Sequence, residues 1–233
     1  IGRDGLFLKE RLEGGGVDTS CLSIGAGATG HAMIQVNSKG ENSIVLFGGE
    51  NLNILPSEIE STLGKLKEKC SHLLLQNEIN GTSDIMKLAG SMGFRIIFNA
   101  APMNGQIKEY PLELVNLFLL NEIEGAGLTG RDTPDEILDS MKKLHPYAST
   151  LLTLGSEGAV YQDSEEKISV PAERVEPIDT TAAGDTFIGF FLAHLLDKKA
   201  DKHLALRIAS KAAAACIRKK GAVDSIPFLE ELR

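Results

Sequence analysis

Cysteine is scarce in this sequence: Cys21, Cys70 and Cys216 are scattered and odd in number. No zinc spacing arises from them, and a disulfide framework is not expected in a chain this long, so a reducing compartment, the cytoplasm, is the expected setting. Long apolar runs are missing too; none approaches the roughly 18 residues that a membrane-spanning helix requires. The five histidines show no ligand spacing. Neither sign of charge clusters strongly and the net charge is −8, which argues against nucleic acid or an anionic membrane as partner. An acidic chain that binds a polyphosphate must gather positive potential locally, from backbone amides, cations or a few lysines. The pattern G-x-x-x-x-G-K-[S/T] does not occur, which removes the P-loop route to phosphate. Internal repeats and low-complexity linkers are absent. The chain opens Ile1-Gly2-Arg3-Asp4, without Met or a signal-peptide pattern, as expected if a further segment precedes it.

What is present is an ordinary composition of 233 residues with 42% apolar side chains, enough for one sizeable α/β domain. His31 to Val36 and Ser43 to Phe47 are β-like runs, and the turn cluster Asn37 to Asn42 between them predicts a hairpin. Downstream, strands and helices alternate. Strands are expected at 72–76, 95–99, 116–120 and 150–154, with short β segments between Ala159 and Val175. Helices are expected from a capping box at Ser57 and Glu60 to about Lys69, from Thr82 to about Met92, from Thr133-Pro134-Asp135-Glu136 to Leu144, and over 184–196 and 202–219. Repeated β-α-β units predict an α/β fold with a doubly wound, mostly parallel sheet flanked by helices. Ligands of such sheets bind beyond the carboxyl ends of the strands. Asn121, Gly155 and Asp185 all follow strand ends.

The run Asp179-Thr180-Thr181-Ala182-Ala183-Gly184-Asp185-Thr186-Phe187 opens an apolar helix-like segment. Small residues at Ala182, Ala183 and Gly184 let backbone amides converge at a helix start, which is an anion site. Asp185 lies just past it. A carboxylate there suits a base for a hydroxyl attacking a phosphoryl group; an acidic first turn is the plainer alternative. Asn121 and Glu124, three apart at a helix start, either hold a hydrated Mg²⁺ or form an Asn cap with its Glu partner. Thr153 to Gly158 offers hydroxyls and bare amides to a polyphosphate, or is simply a tight turn. Gly25-Ala26-Gly27-Ala28-Thr29-Gly30 matches G-x-G-x-x-G, with Glu50 further on. The next residues alternate as a strand and open no helix, which counts against a dinucleotide site.

The run D-T-T-A-A-G-D-T-F resembles the C-terminal signature of the ribokinase family of carbohydrate kinases. Asn121-Glu122-Ile123-Glu124 is similar to the family's N-x-x-E motif, and Thr153-Leu154-Gly155-Ser156-Glu157-Gly158 to its nucleotide-phosphate turn. Lys220-Gly221-Ala222 with Ser225-Ile226-Pro227 resembles its C-terminal ending. The resemblance runs in order over 1–233. It implies a single ribokinase-like domain that lacks the family's N-terminal segment, with part of a small β lid, a hairpin, over 28–50.

The resemblance further implies transfer of phosphate from ATP to a sugar, D-ribose giving D-ribose 5-phosphate. Asp185 would be the base, with Ala182, Ala183 and Gly184 forming the anion hole. Asn121, Thr153, Gly155, Ser156, Gly158, Gly184 and Ser210 would contact ATP, although the family often places an adenine-contacting Asn at the position of Ser210. Glu78 would join Asp185 in holding the sugar; a surface loop carboxylate is the alternative. Mg²⁺ would lie, through water, near Asn121 and Glu124. Asp179, Thr181, Cys216, Lys219, Gly221 and Ser225 fall on a site for a monovalent cation, K⁺, built mostly from backbone carbonyls. A homodimer is implied for the full-length form. Fructose, a ketodeoxy sugar acid or a nucleoside are alternative acceptors. The absent segment supplies half of the lid and a Gly-Gly-Lys sugar-binding stretch in the family, so a non-catalytic nucleotide-binding fragment is the other class of reading.

Overall fold

A computed structural model describes residues 1–36, 42–197 and 201–232. The chain divides into two compact units, Ile1–Ile96 with Glu109–Leu114, and Ile97–Lys108 with Val115–Arg233.

The first unit contains α1 (Leu6–Gly14), β1 (His31–Val36), β2 (Asn42–Phe47), α2 (Pro56–Leu66), β3 (His72–Gln76) and α3 (Thr82–Ser91). Strands β1 and β2 pair antiparallel, from His31 opposite Phe47 to Val36 opposite Asn42. Residues 37–41 of the expected turn lie outside the described residues. Helix α1 carries no amphipathic signal: Leu6, Phe7, Leu8 and Leu12 are all exposed. The capping box expected at Ser57 and Glu60 is displaced. Pro56 occupies the first helical turn, where its fixed φ is already helical, and Glu58 Oε2 accepts the Leu55 amide at 2.9 Å. The helix ends at Leu66, short of Lys69. The G-x-G-x-x-G stretch leads into β1, not a helix. A side chain at Gly25 or Gly27 would overlap the Glu50 carboxylate, so these glycines make room for Glu50.

Strand β4 (Arg95–Asn99) is shared between the units. The second unit continues with β5 (Val115–Asn121), α4 (Glu122–Thr129), α5 (Pro134–Leu144), β6 (Ser149–Thr153), β7 (Ala159–Gln162), β8 (Lys167–Val170), α6 (Ala183–Leu195) and α7 (Lys202–Cys216). The larger sheet has the order β3-β4-β5-β6-β7-β8. It is mixed. Strands β5 and β6 run parallel, joined through α4 and α5, while β6, β7 and β8 are successively antiparallel. A parallel crossover needs a dozen or more residues, and the turns at 154–158 and 163–166 are far shorter.

Strand β5 is buried on both faces, which is why it reads as a nearly unbroken apolar run. Its Leu117 and Leu119 join Phe187, Phe191, Leu192 and Leu206 in the core formed with α6 and α7. Leu120 and its neighbour Leu152 point the other way, where Ile137 of α5 packs so closely on Gly125 that a Cβ there would lie 2.7 Å from it. The start of α7 is fastened to the β7–β8 turn. Lys202 Nζ donates to Asp163 Oδ2 at 2.6 Å and Glu166 Oε1 at 2.7 Å, above the Tyr161 ring.

Candidate active site

Beyond the ends of β6 and β8 the second unit encloses a cavity of about 630 Å³. Thr153, Gly155, Ser156 and Gly158 line it from the β6–β7 turn, Ala183 and Gly184 from the start of α6, and Ser210 from α7. The turn is possible because two positions are glycine. Gly155 has φ +52 and Gly158 φ +112, and a Cβ on Gly158 would fall 2.0 Å from the Val170 carbonyl oxygen. Thr153 Oγ1 donates to the Leu120 carbonyl at 3.3 Å.

The signature run turns sharply into α6. Ala182, the residue before the helix, has φ +61, a left-handed conformation that a side-chain-bearing residue adopts at a cost of about 1–2 kcal/mol. The Ala183 amide donates to Thr180 O at 3.3 Å, and the first i→i−4 bond is Thr186 N–H to Ala182 O at 2.9 Å. The amides of Gly184 and Asp185 precede that bond and belong to the open helix start, where the dipole favours an anion. A Cβ on Gly184 would meet nothing within 4 Å. Asp185 lies in the first turn with its side chain exposed.

Asn121 caps α4. Its Oδ1 accepts the Glu124 amide at 2.9 Å; its own amide donates to Glu124 Oε2 at 2.7 Å and its Nδ2 to Glu124 Oε1 at 2.9 Å. Glu124 is only 6% exposed. Burial raises its pKa above the ordinary carboxylate value, partly offset by the Asn121 hydrogen bonds. Asn121 pairs with Thr153 across β5 and β6, so the capping box stands one strand from the cavity wall.

The residues read as a cation site converge. Asp179 Oδ1 accepts the Thr181 amide at 2.9 Å, and its Oδ2 accepts the Gly221 amide at 3.0 Å. Cys216 Sγ lies 3.7 Å from Thr181 O and 3.1 Å from Ser225 Oγ, and Ser225 Oγ donates to Ala222 O at 2.7 Å. Cys216 and Ser225 are fully buried. The Lys219 amide donates to Cys216 O, while its ammonium pairs with Glu231. Hydrogen bonds from Thr181 and Gly221 hold the Asp179 carboxyl at about 2, well below its ordinary value. Among the described residues no three His, Cys, Asp or Glu side chains cluster as a metal site, and no helix is long and apolar enough to cross a membrane.

Glu78 is an exposed residue of the turn after β3, in the first unit; all the other site residues belong to the second. The far wall of the cavity, Ala172, Val175, Pro177, Ala213, Ala214 and Ile217, was not legible. Small apolar residues there look the same as core, and the alanine run before Cys216 was the one available signal. The β segments expected up to Val175 end at Val170, freeing 171–177 to form this wall.

The chain that builds this cavity matches a known class over nearly its whole length. Residues 2–229 fit the model of the pfkB family carbohydrate kinases, and the chain belongs to that family of alcohol-group phosphotransferases. Within it, the chain is 32% identical to the ribokinase of Staphylococcus aureus (strain COL), covering 100% of this chain and 79% of that protein. The crystal structure of ribokinase from Cryptococcus neoformans var. grubii serotype A in complex with ADP superposes with a TM-score of 0.83 at 31% identity, over 100% of this chain and 80% of that one. The structure of Arabidopsis thaliana ribokinase complexed with ribose and ATP gives 0.77 at 28% identity, over 90% and 70%.

Proposed function

We propose that the chain transfers the γ-phosphoryl group of ATP to a hydroxyl of D-ribose, giving ribose 5-phosphate and ADP. The observation that carries this reading is the position of Asp185, exposed in the first turn of α6 directly after the Gly184 backbone that lines the cavity. The sugar hydroxyl would give its proton to the Asp185 carboxylate as its oxygen bonds to the γ-phosphorus. The bond to the bridging oxygen would break, its electron pair leaving with ADP. The Gly184 and Asp185 amides would hold charge on the transferring group, with Ala182 and Ala183 small enough to let it approach. Thr153, Gly155, Ser156 and Gly158 would cradle the nucleotide phosphates, with Asn121 beside them. The ribokinases with ADP and with ribose and ATP support both substrates.

The donors present fit two ions. Each Glu124 oxygen accepts one Asn121 hydrogen bond and has a further lone pair for a water of Mg²⁺. Bound Mg²⁺ would neutralise triphosphate charge. Asp179, Thr181, Cys216, Lys219, Gly221 and Ser225 would hold K⁺ through oxygen donors, and an ionised Asp179 suits that task. Glu78 would contact the sugar, and the β1–β2 hairpin would act as lid. We further propose a homodimer for the full-length form and a cytoplasmic setting, which three unpaired cysteines favour. The test is a panel of ribose, fructose, a ketodeoxy sugar acid and a nucleoside with ATP, followed by ADP release. Ribose should give the highest kcat/KM. A different best acceptor would overturn the ribose assignment, and no sugar-dependent ADP release would favour the non-catalytic nucleotide-binding reading.

A further inference from the structure

We infer that the base end of the cavity separates the two purine bases weakly, so that GTP serves as a donor in place of ATP. This rests on the kinase reading of the same cavity and on what Ser210 does. Ser210, 7% exposed as a residue, donates its hydroxyl to the Pro171 carbonyl at 3.2 Å. Pro171 belongs to the segment on which Gly158 is packed without room for a Cβ. The Ser210 hydroxyl therefore fastens α7 to the segment that leads into the Ala172–Val175 wall, and its proton is not offered to a ligand.

The side chains of Val175, Pro177, Ala213, Ala214 and Ile217 at this end have no donor or acceptor. Glu173 and Arg174 also line the cavity, but both are exposed and of opposite charge, and water competes for each. Polar atoms gather instead at Ser156, Thr180 and Gly184, toward the turn and the helix start. The arrangement orients a nucleotide, phosphates toward Gly184 and base toward α7, with no side-chain donor committed to the edge of the base.

The consequence is quantitative. A hydrophobic pocket rejects a near-isostere that differs in a polar group by only about 10²-fold, whereas a site built to hydrogen-bond that group reaches about 10⁴–10⁵-fold. Adenine and guanine share the purine frame and differ only in the polar atoms along one edge, so their nucleotides should differ by less than about 100-fold. Pyrimidine nucleotides, which leave part of the slot unfilled, should fall further behind.

The test is calorimetric titration of the chain with ADP and with GDP in the presence of Mg²⁺, repeated on Ser210→Ala, with kcat/KM for ATP and GTP alongside. The expected result is ADP and GDP affinities within about 100-fold, and a Ser210→Ala variant that weakens both by the same factor, since a fastener serves every base alike. A preference for ADP above about 100-fold, or a ratio that shifts in Ser210→Ala, overturns this inference and leaves the kinase reading standing. A chain that binds neither nucleotide overturns the nucleotide site itself, and this inference with it.

Discussion

The Gly221 amide donates to Asp179 Oδ2 at 3.0 Å, while the other oxygen of that carboxylate takes the Thr181 amide at 2.9 Å. One ionised side chain thus ties the loop before α6 to the segment after α7. The two are also joined through Ile217 O, which accepts the amides of Ile178 and Asp179. The turn into α6 is thus held by C-terminal residues as well as by its own hydrogen bonds.

The first prediction follows from the acidity of Asp179. Hydrogen bonds from Thr181 and Gly221 lower its folded pKa from 3.8 to about 2. A depressed carboxyl contributes stability that is fully present above the unfolded value and is lost as pH falls through the folded one. Asp179→Asn should therefore melt at a lower temperature than wild type at pH 6. The gap should close as pH falls from about 4 towards 2, measured by thermal melts across that range. A constant gap would mean that the carboxylate charge is not the link.

Asp179 also predicts the cation response. Wild-type turnover should rise with K⁺ over Na⁺, and Asp179→Asn should lose that dependence, read from rates in matched KCl and NaCl buffers. Full wild-type activity in Na⁺ alone would remove the cation from the account.

Much of this arrangement is legible in the sequence, and the exceptions have physical causes. Strands β3 to β6 stand out because apolar runs bounded by Gly, Asn and Pro have few other solutions, and Thr133 with Pro134 marks α5. The start of α2 is misplaced because Ser57 and Glu60 form a good capping pattern that Pro56 pre-empts. Helix α1 escapes notice because its apolar residues stay exposed and form no stripe. At Asn121 and Glu124 the two readings require the same side-chain geometry, so sequence cannot separate a cap from a metal-water site. The far cavity wall is invisible because alanines facing a ligand and alanines facing a core are spaced alike.

Two glycines should behave oppositely on substitution. Gly158→Ala combines φ +112 with a Cβ 2.0 Å from the Val170 carbonyl, and should cost about 3 kcal/mol or more. Gly184→Ala meets no atom within 4 Å, and should leave stability unchanged or raise it by up to about 1 kcal/mol. Its methyl group would nonetheless hold a phosphoryl group away from the amide, lowering turnover by about 10²-fold or more. Denaturant unfolding and steady-state rates on the same two variants separate the effects. An unstable Gly184→Ala with undiminished turnover would place the anion site elsewhere.

Glu124→Gln replaces one acceptor oxygen of the capping box by a donor that faces the Asn121 amides. The Mg²⁺ concentration for half-maximal rate should rise by about 10–100-fold, as for other groups that orient metal-bound ligands. An Mg²⁺ titration of the ribose reaction reads this. A stability loss with an unchanged Mg²⁺ requirement would reduce Asn121 and Glu124 to a helix cap.

The most direct test of the central claim is Asp185→Asn, assayed for ribose-dependent ADP release and, by calorimetry, for ATP binding. Loss of a general base costs about 10²–10⁴-fold in rate, so turnover should fall by that factor while ATP affinity stays close to wild type. Turnover near wild type in Asp185→Asn would contradict the account.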